Sequence, residues 1–441
     1  MKDSPFSRRM RSIPGGALVS MLLVLAPPAQ AVQEGAADEG PGGAPPLTLE
    51  QAQTLALRNN PTLRAARTSI QIPEAQLTQA YRFSNPVLGF GVLPGLNSGT
   101  GLSVSVGKRF EIAGQRELRA DASRAQIGAA EWRAADVERV LRVQVAQRFY
   151  SVLVSQELVQ LMDSVAAVTG RLVEAADLKF RAGIAPELDR NIARIQLLQV
   201  RVQRAGVLRE LNVRTAELNA LTGRPAEAHL TVAGSLIEEA VPREISLARL
   251  IAHASRYRPD ARAVELRGRA VSRNLDLARR LRVPDLILGL GLSREADGIK
   301  TVGLSAGFSL PLFDKNQLGR DLAKVDKGVT AAQADATDLA IRREVRSALS
   351  RLDAARTQLS TYQDEILALA DASQRFAGAA YARGELDITT AVLAQRQHTD
   401  AQAGYLEAVL AFDQAAVELE GAVGAPLTAF ANDDTEKESR P

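Results

Sequence analysis

The residue types that most often carry out chemistry in proteins are sparse in this chain of 441 residues, which contains three histidines and no cysteine. His229, His253 and His398 are far apart, and none stands at metal-ligand spacing from another histidine or from a pair of acids. There is no phosphate-binding loop and no nucleophile elbow. Gly289-x-Gly291 belongs to a strand pattern and not to a dinucleotide-binding loop. The sequence therefore predicts no catalytic residue, no metal site and no cofactor, and it indicates that the protein is not an enzyme.

Two turn-forming glycines interrupt long helical patterns, and each is followed by an aspartate, Asp189 in the first half of the chain and Asp387 in the second. Glycine lets the chain reverse, so we expect each turn to join two antiparallel helices. The other residues that surround the two turns are Arg181, Gly183, Leu188, Arg383, Gly384 and Leu386. The aspartates are interpreted either as a charged site or as exposed acids that stabilise the N-terminal end of a helix.

Long helices are predicted on both sides of these turns, because proline is absent between Pro94 and Pro186 and between Pro311 and Pro426. Proline inside a helix costs about 3 kcal/mol. Residues 115–180 alone would form a rod of about 100 Å at 1.5 Å per residue. A heptad pattern runs through Val345, Leu352, Leu359 and Ile366 and, three residues further on, through Ala348, Ala355, Tyr362 and Leu369. This pattern predicts a coiled-coil seam over four heptads.

The chain also repeats itself. Pro61 recurs as Pro259 at an offset of 198 residues, and Gly183 recurs as Gly384 at an offset of 201. Each half is predicted to contain the same order of elements, namely helix, two short strands, long helix, turn and long helix. The predicted boundaries are 47–225 for the first repeat, 226–244 for a linker and 245–425 for the second repeat.

The two ends of the chain are predicted to lie outside these repeats. Basic residues, an apolar run over 17–26 and the sequence Ala29-Gln30-Ala31 predict a cleaved signal peptide over 1–31. A disordered leader is predicted over 32–46 and a disordered tail over 426–441. The signal accounts for the whole formal net charge of +3. The remaining chain is close to neutral, so the basic pI does not indicate a nucleic-acid partner. The arginines of the helical segments have no interleaved aromatic residues that would predict one.

Four short stretches alternate between apolar and small residues with the period of a strand. Their apolar faces include Leu88, Phe90, Val92, Leu102, Val104 and Val106 in the first half, and Leu286, Leu288, Leu290, Leu292, Leu304 and Phe308 in the second. Glycine and serine occupy the opposite faces, as in a sheet with lipid outside and water inside. The alternative is a pair of hairpins packed on a soluble core. Outside the signal we find no apolar run of about 18 residues, so strands are expected to cross the membrane.

Four strands cannot close around a lumen, because a barrel needs about eight strands at least. An open sheet edge is also excluded from lipid. Several chains must therefore share one barrel, and closure alone permits two, three or four of them. Three chains would supply twelve strands.

Several segments resemble the TolC family of outer-membrane efflux proteins over about residues 47–425. The opening Leu47-Thr48-Leu49-Glu50-Gln51-Ala52, followed by Asn60-Pro61-Thr62-Leu63, is similar to the family's first motif. The passage Phe110-Glu111-Ile112-Ala113-Gly114-Gln115-Arg116 resembles the Gly-Gly-Lys-Arg passage of the CzcC-like branch, with Ala113 and Gln115 in place of glycine and lysine. Phe180-Arg181-Ala182-Gly183 and Tyr381-Ala382-Arg383-Gly384 resemble the family's turns at the periplasmic tip.

The resemblance implies a mainly α protein with a small β part. It implies a homotrimer in which a long α-helical coiled-coil barrel continues a twelve-stranded outer-membrane β-barrel. The tip residues would contact a periplasmic adaptor, and Asp189 and Asp387 would be candidate aperture charges, where three copies form a negative ring that favours cations.

The same resemblance implies a location in the outer membrane of a Gram-negative cell with a periplasmic extension. It also implies a passive exit duct that works with an inner-membrane pump of the RND type, for divalent heavy-metal cations or small toxic compounds. The alternatives are a channel for type I protein secretion and a periplasmic coiled-coil adaptor or scaffold.

Overall fold

The computed structural model describes residues 45–94, 100–235, 241–242, 245–295 and 298–430. The predicted signal peptide and nearly all of the predicted leader lie outside these residues, as does the chain from 431 onward. Within the described chain, Leu427–Phe430 form a 3₁₀ turn whose two end residues are buried. The prediction of a disordered tail from 426 is therefore wrong for its first residues, because two apolar side chains there pack into the core.

Among its described residues, the first half contains three short helices, two strands and two long helices. They are α1 Leu49–Asn59, α2 Pro61–Thr68, α3 Gln71–Ala80, β1 Val87–Pro94, β2 Thr100–Phe110, α4 Gln115–Arg181 and α5 Glu187–Thr222. Local sequence explains where they begin. Thr48 and Gln51 form a capping box at α1, and the Asn60 side chain accepts hydrogen bonds from the first turn of α2, which opens with Pro61.

The second half repeats this order with two differences: the single helix α7 stands where the first half has α2 and α3, and a π-helix interrupts the first of the two long helices. Its elements are α6 Leu247–Tyr257, α7 Pro259–Arg280, β3 Leu286–Arg294, β4 Lys300–Phe308, α8 Gln317–Thr361, a π-helix Tyr362–Ile366, α9 Leu367–Arg383 and α10 Ile388–Val423. Strand β4 ends at Phe308, which belongs to its predicted apolar face. The run from Gln317 to Arg383 has the same length as α4, which has 67 residues.

The π-helix changes the predicted coiled-coil seam. Val345, Leu352 and Leu359 are buried as the heptad pattern predicts, and so are Ala348 and Ala355. Within the π-helix, however, Tyr362 and Ile366 are only partly buried, and after it Leu369 is 69% exposed. The seam therefore covers three heptads and not four. A π turn holds more residues than an α turn, so it rotates the following residues away from the seam.

The four strands form one antiparallel sheet in the order β1-β2-β3-β4. Within the described chain, β2 and β3 have a neighbour on each side, whereas β1 and β4 are the edges. Strands of 8 to 11 residues match the length that a tilted strand needs to cross a bilayer, about 9–11 residues.

Among the described residues, two large apolar cores and a smaller cluster near the two turns hold the helices together. One is built around Phe149 and Val145 of α4 and joins them to α1 and α2, and the other joins α8 to α10 around Leu352 and Phe412. Within the described helices, α4 contains an 18-residue window with a mean hydropathy of 1.2 and no more than two charged residues. By length and composition this window could cross a membrane, contrary to the sequence expectation. In the structure, 39% of this window is buried.

Candidate functional site

The sheet brings the apolar side chains of all four strands onto one face. Register places Leu88, Val106, Leu290 and Leu304 side by side in one row, and Phe90, Val104, Leu292 and Val302 form the next row. Side chains in register on neighbouring strands share a face. The alternation predicted for each strand separately therefore continues across the whole sheet. These side chains are largely exposed in one chain, and Leu304 is 88% exposed.

The opposite face of the sheet is made of small residues. Gly89, Ser105, Gly291 and Gly303 form one row of it. A Cβ added to Gly89 would lie 2.8 Å from the Ser105 hydroxyl oxygen. The absence of a side chain at Gly89 therefore leaves room for Ser105 on the neighbouring strand. Ser103 in turn donates to the carbonyl oxygen of Gly91 at 3.2 Å. This arrangement leaves one apolar face and one face of hydroxyls and exposed backbone.

The turn between α4 and α5 is one of the two predicted tip turns. Gly183 has φ = 71°, a left-handed conformation that favours glycine. Arg181 pairs with Asp177 on the preceding helical turn at 2.7 Å, and Leu188 is exposed. Asp189 lies in the first turn of α5, where its backbone N–H donates to the carbonyl of Pro186.

The turn between α9 and α10 has the same backbone shape but a different cap. Gly384 has φ = 79°, and Arg383 pairs with Glu385 at 2.7 Å. Asp387 is the N-cap of α10 and accepts a hydrogen bond from the Thr390 N–H at 2.7 Å. That hydrogen bond holds the pKa of Asp387 below its ordinary value. Asp387 therefore serves the helix end, as the alternative interpretation of this acid expected.

The two turns lie at the same end of the helical hairpins. The Lys179 ammonium lies 3.9 Å from the centre of the Tyr381 ring, so α4 meets α9 there. Burial, together with the negative charge of Asp189, raises the pKa of the Tyr381 hydroxyl. A small apolar cluster that includes Ile388 and Ala193 packs around this contact. Sequence spacing gave the position of each turn but not the contact between Lys179 and Tyr381.

The histidines remain apart in the fold. His253 packs between the rings of Tyr257 and Phe430. The nearest acid to the imidazole of His398 is Asp371, at 3.7 Å. In the part of the chain that the structure describes, no three histidine or acidic side chains come together as a metal site.

A buried arginine at the junction of the second half was missed in the sequence. Arg258 is 2% exposed and donates to the Ala422 carbonyl at 2.9 Å, to Glu344 at 2.8 Å and to Asp260 at 2.7 Å. Burial raises the pKa of Asp260, but the hydrogen bond and charge of Arg258 outweigh it and hold that pKa below its ordinary value. The repeat offset of 198 residues aligns Arg258 with Asn60, and this alignment was the available signal.

An apolar-faced sheet that carries long helical hairpins defines a class of protein, the outer-membrane channels with a helical extension. A family profile described as "Outer membrane efflux protein" matches residues 52–224 and 250–425, one match in each half. The chain belongs to this family. It is an efflux channel protein of the outer membrane and not an enzyme.

Individual relatives agree with the family. The chain is 26% identical over 389 residues to the cobalt-zinc-cadmium resistance protein CzcC of Cupriavidus metallidurans, covering 86% of this chain and 90% of CzcC. It is 29% identical to the multidrug resistance outer membrane protein MdtP of Shigella flexneri, over 57% of this chain and 53% of MdtP.

Solved structures share the fold. A structure of CusC, titled for its folding and transmembrane channel formation, has a TM-score of 0.73 at 20% identity and covers 86% of this chain and 92% of its own. The CmeC outer membrane channel of Campylobacter jejuni has a TM-score of 0.69 at 18% identity, with 88% of both chains covered. These are channels and not adaptors, so family membership replaces the alternative of a periplasmic adaptor.

Proposed function

We propose that the protein is one of three identical subunits of a passive exit duct, in which the sheets of the subunits join into one barrel in the outer membrane. The observation that carries the proposal is the sheet, which has a continuous apolar face and two edge strands, β1 and β4, within the described chain. Backbone N–H and C=O groups at such an edge cannot remain unpaired in lipid. The first edge of one subunit and the last edge of the next can satisfy each other.

The helices support assembly as well. One face of α8 carries apolar side chains at alternating spacings of four and three residues, and these are exposed in one chain: Leu318, Leu322, Val325 and Val329. This is the spacing of a coiled-coil seam. A second copy, brought alongside by the joined sheets, is the occupant that this seam fits.

Cysteine cross-linking tests the joined edges, because the chain has no cysteine of its own. Phe90→Cys on β1 is combined in turn with Val302→Cys, Leu304→Cys and Ala306→Cys on β4. In isolated outer membranes under oxidising conditions, at least one pair is expected to give a ladder of disulfide-linked dimers and trimers on a denaturing gel. If every pair gives monomers only, the shared barrel is wrong.

A matched control uses two strands that pair inside one chain. Phe90 and Val104 are directly in register on β1 and β2. The double variant Phe90→Cys and Val104→Cys is therefore expected to close a disulfide within the subunit and give no ladder.

We also propose that the tip turns dock a periplasmic adaptor and that an inner-membrane pump of the RND type supplies the energy. Support comes from the exposed positions of Arg181, Leu188 and Arg383 at the hairpin ends, where another protein can reach them. Gly183, Gly384 and Leu386 shape these turns, and Asp189 and Asp387 are the candidate aperture charges of the assembled tube.

The proposed cargo is a divalent heavy-metal cation, because the relative CzcC is a cobalt-zinc-cadmium resistance protein. Deletion of the gene is expected to sensitise the cell to cobalt, zinc and cadmium, and the wild-type gene should restore tolerance. Sensitivity to small toxic organic compounds instead would favour the multidrug function for which MdtP is named. Unchanged tolerance to both, together with a protein missing from the culture medium, would favour type I protein secretion.

A further inference from the structure

A cleft opens where the strands meet the helices. It lies between the segment before β1, the end of β2 and the beginning of α4, and it has a volume of about 650 Å³. Its lining includes Phe83, Phe110, Arg116 and Arg119. We call it the strand-base cleft. It begins at the last register pair of the apolar face, Phe110 with Leu286.

Positive charge exceeds negative charge in the strand-base cleft. Arginines 82, 109, 116 and 119 line it, against the single acid Glu111. Glu111 is already paired with Arg119, and Arg109 lies 3.8 Å from Asp285. Arg116 has no carboxylate partner among the described residues, and its buried Nε has no hydrogen-bond partner there. A buried N–H of an arginine without a partner costs free energy, so an anionic ligand would be stabilised at this position.

Aromatic rings hold the cations in place. The Arg116 guanidinium lies 4.3 Å from the centre of the Phe83 ring. The Lys108 ammonium lies 4.8 Å from the same ring and 5.4 Å from the Phe110 ring, so it stands beside two aromatic residues that line the cleft. Lys108 belongs to the apolar face of β2, where it pairs with Leu288. A cation and aromatic rings directly below an apolar band are typical of the membrane–water interface.

We propose that the strand-base cleft binds the phosphate headgroup of a membrane phospholipid, with Arg116 as its main ligand and Lys108 as a second. Arginine suits a phosphate because its guanidinium can donate two parallel hydrogen bonds. The acyl chains would lie along the apolar face beside Leu288. This inference rests on the proposed membrane barrel, and it assigns to the chain a lipid site at the level where the barrel meets the helices.

The test is native mass spectrometry of the purified full-length assembly with phosphatidylglycerol as the probe. Arg116→Gln is expected to weaken phosphatidylglycerol binding about tenfold or more, the effect of losing a charged hydrogen bond. Lys108→Gln should weaken it less and serves if Arg116→Gln does not fold. Arg133→Gln is the matched control, because Arg133 is an exposed residue of α4 outside the cleft. Equal lipid binding by wild type and both cleft variants overturns the proposal.

Two further probes separate the sources of the phosphate. Inorganic phosphate should compete only weakly, and a diacylglycerol without phosphate should not occupy the site. Tight binding of inorganic phosphate would replace the lipid by a free anion, and equal binding of diacylglycerol would reduce the cleft to an apolar groove. Trimer mass and bilayer conductance are measured on the same samples. If the protein forms a conducting trimer but the cleft variants still bind phosphatidylglycerol, the lipid site is wrong and the channel stands. If the wild type forms no trimer and shows no conductance, the proposed channel itself is wrong.

Discussion

The two halves of the chain solve one structural problem in different ways. In each half, the residue before a helix-opening proline must bind a carbonyl at the end of the last long helix. Asn60 does so with its amide, which donates to Leu221 at 3.2 Å. Arg258 does so with its guanidinium, which donates to Ala422 at 2.9 Å. Leu221 and Ala422 are themselves equivalent at the later offset of 201 residues.

The difference lies in what else each side chain does. The Asn60 oxygen also accepts from the N–H groups of Thr62 and Leu63, so it caps the helix that follows. Arg258 has no acceptor, and its helix has no side-chain cap. It recruits two acids, Asp260 and Glu344, instead. A duplicated backbone can thus keep a contact while a neutral hydrogen bond is exchanged for an ion cluster around a buried arginine.

The largest loss of stability is expected when Arg258, which makes this contact in the second half, is replaced. Arg258→Met leaves the partly exposed Asp260 and the buried Ala422 carbonyl without the guanidinium, which should cost about 3 kcal/mol of unfolding free energy. Arg258→Asn, which installs the first-half residue, should cost less because asparagine can cap the helix. Thermal unfolding followed by circular dichroism measures both. Equal losses in the two variants would mean that the cap is irrelevant here.

The second prediction concerns membrane insertion and compares one strand residue from each half. Val106 of the first half and Leu290 of the second are in register on the apolar face. Arginine at either position should impair membrane insertion by a similar amount, about 2–4 kcal/mol at the bilayer midplane. Membrane fractionation after expression measures the inserted fraction.

The control for these charges lies on the opposite face. Gly303→Ser should insert normally, because a Cβ at Gly303 meets no atom within 4 Å. Gly289→Ser is a less clean control, since its Cβ would lie 2.5 Å from the Ser305 hydroxyl oxygen. Serine at Gly303 as damaging as arginine at Leu290 would contradict the assigned faces.

A smaller loss of stability is expected when Asn60, which makes the same contact in the first half, is replaced. Asn60→Ala removes the cap of α2 and the hydrogen bond to Leu221, which should cost about 1–2 kcal/mol. The same thermal unfolding experiment applies. A loss as large as that of Arg258→Met would show that the ion cluster adds nothing to the contact made by asparagine.

The smallest effect concerns the two tip turns. The pKa of Asp387 is lowered by the hydrogen bond from the Thr390 N–H, so this cap stabilises α10 above the ordinary carboxyl pKa of about 4 and is lost as pH falls through the lowered value. Asp387→Ala should speed amide hydrogen exchange in the first turn of α10 at neutral pH. Asp189→Ala is the matched change in the other turn, where the carboxylate accepts no hydrogen bond from the described residues, and exchange there should change little.

Much of the fold follows from local sequence. The capping residues Thr48 and Asn60, the turn glycines and the period-two alternation are short-range signals, and the structure has the corresponding elements. The strand faces were predictable because glycine and serine alternate with large apolar residues.

Other features depend on contacts between distant residues and could not be predicted. Ile366 and Leu369 continue the heptad spacing in the sequence, yet the π-helix takes them out of the seam. Close packing accompanies the π-helix, since a Cβ on Gly404 of α10 would clash with the Tyr362 hydroxyl oxygen. The contact of Lys179 with Tyr381, from opposite halves, likewise has no signal in the spacing of either half.

The π-helix also gives the two long rods unequal mechanical properties. Helix α4 is continuous from the sheet to the tip, whereas its counterpart contains five π-helical residues, Tyr362–Ile366. Helices bend at such turns, because the regular ladder of backbone hydrogen bonds is interrupted there. Under a sideways force on the tip, α4 should therefore resist bending along its whole length. The counterpart formed by α8, the π-helix and α9 should bend at the π-helix. Each subunit thus combines one uninterrupted long helix with one long helix that can bend at a single place.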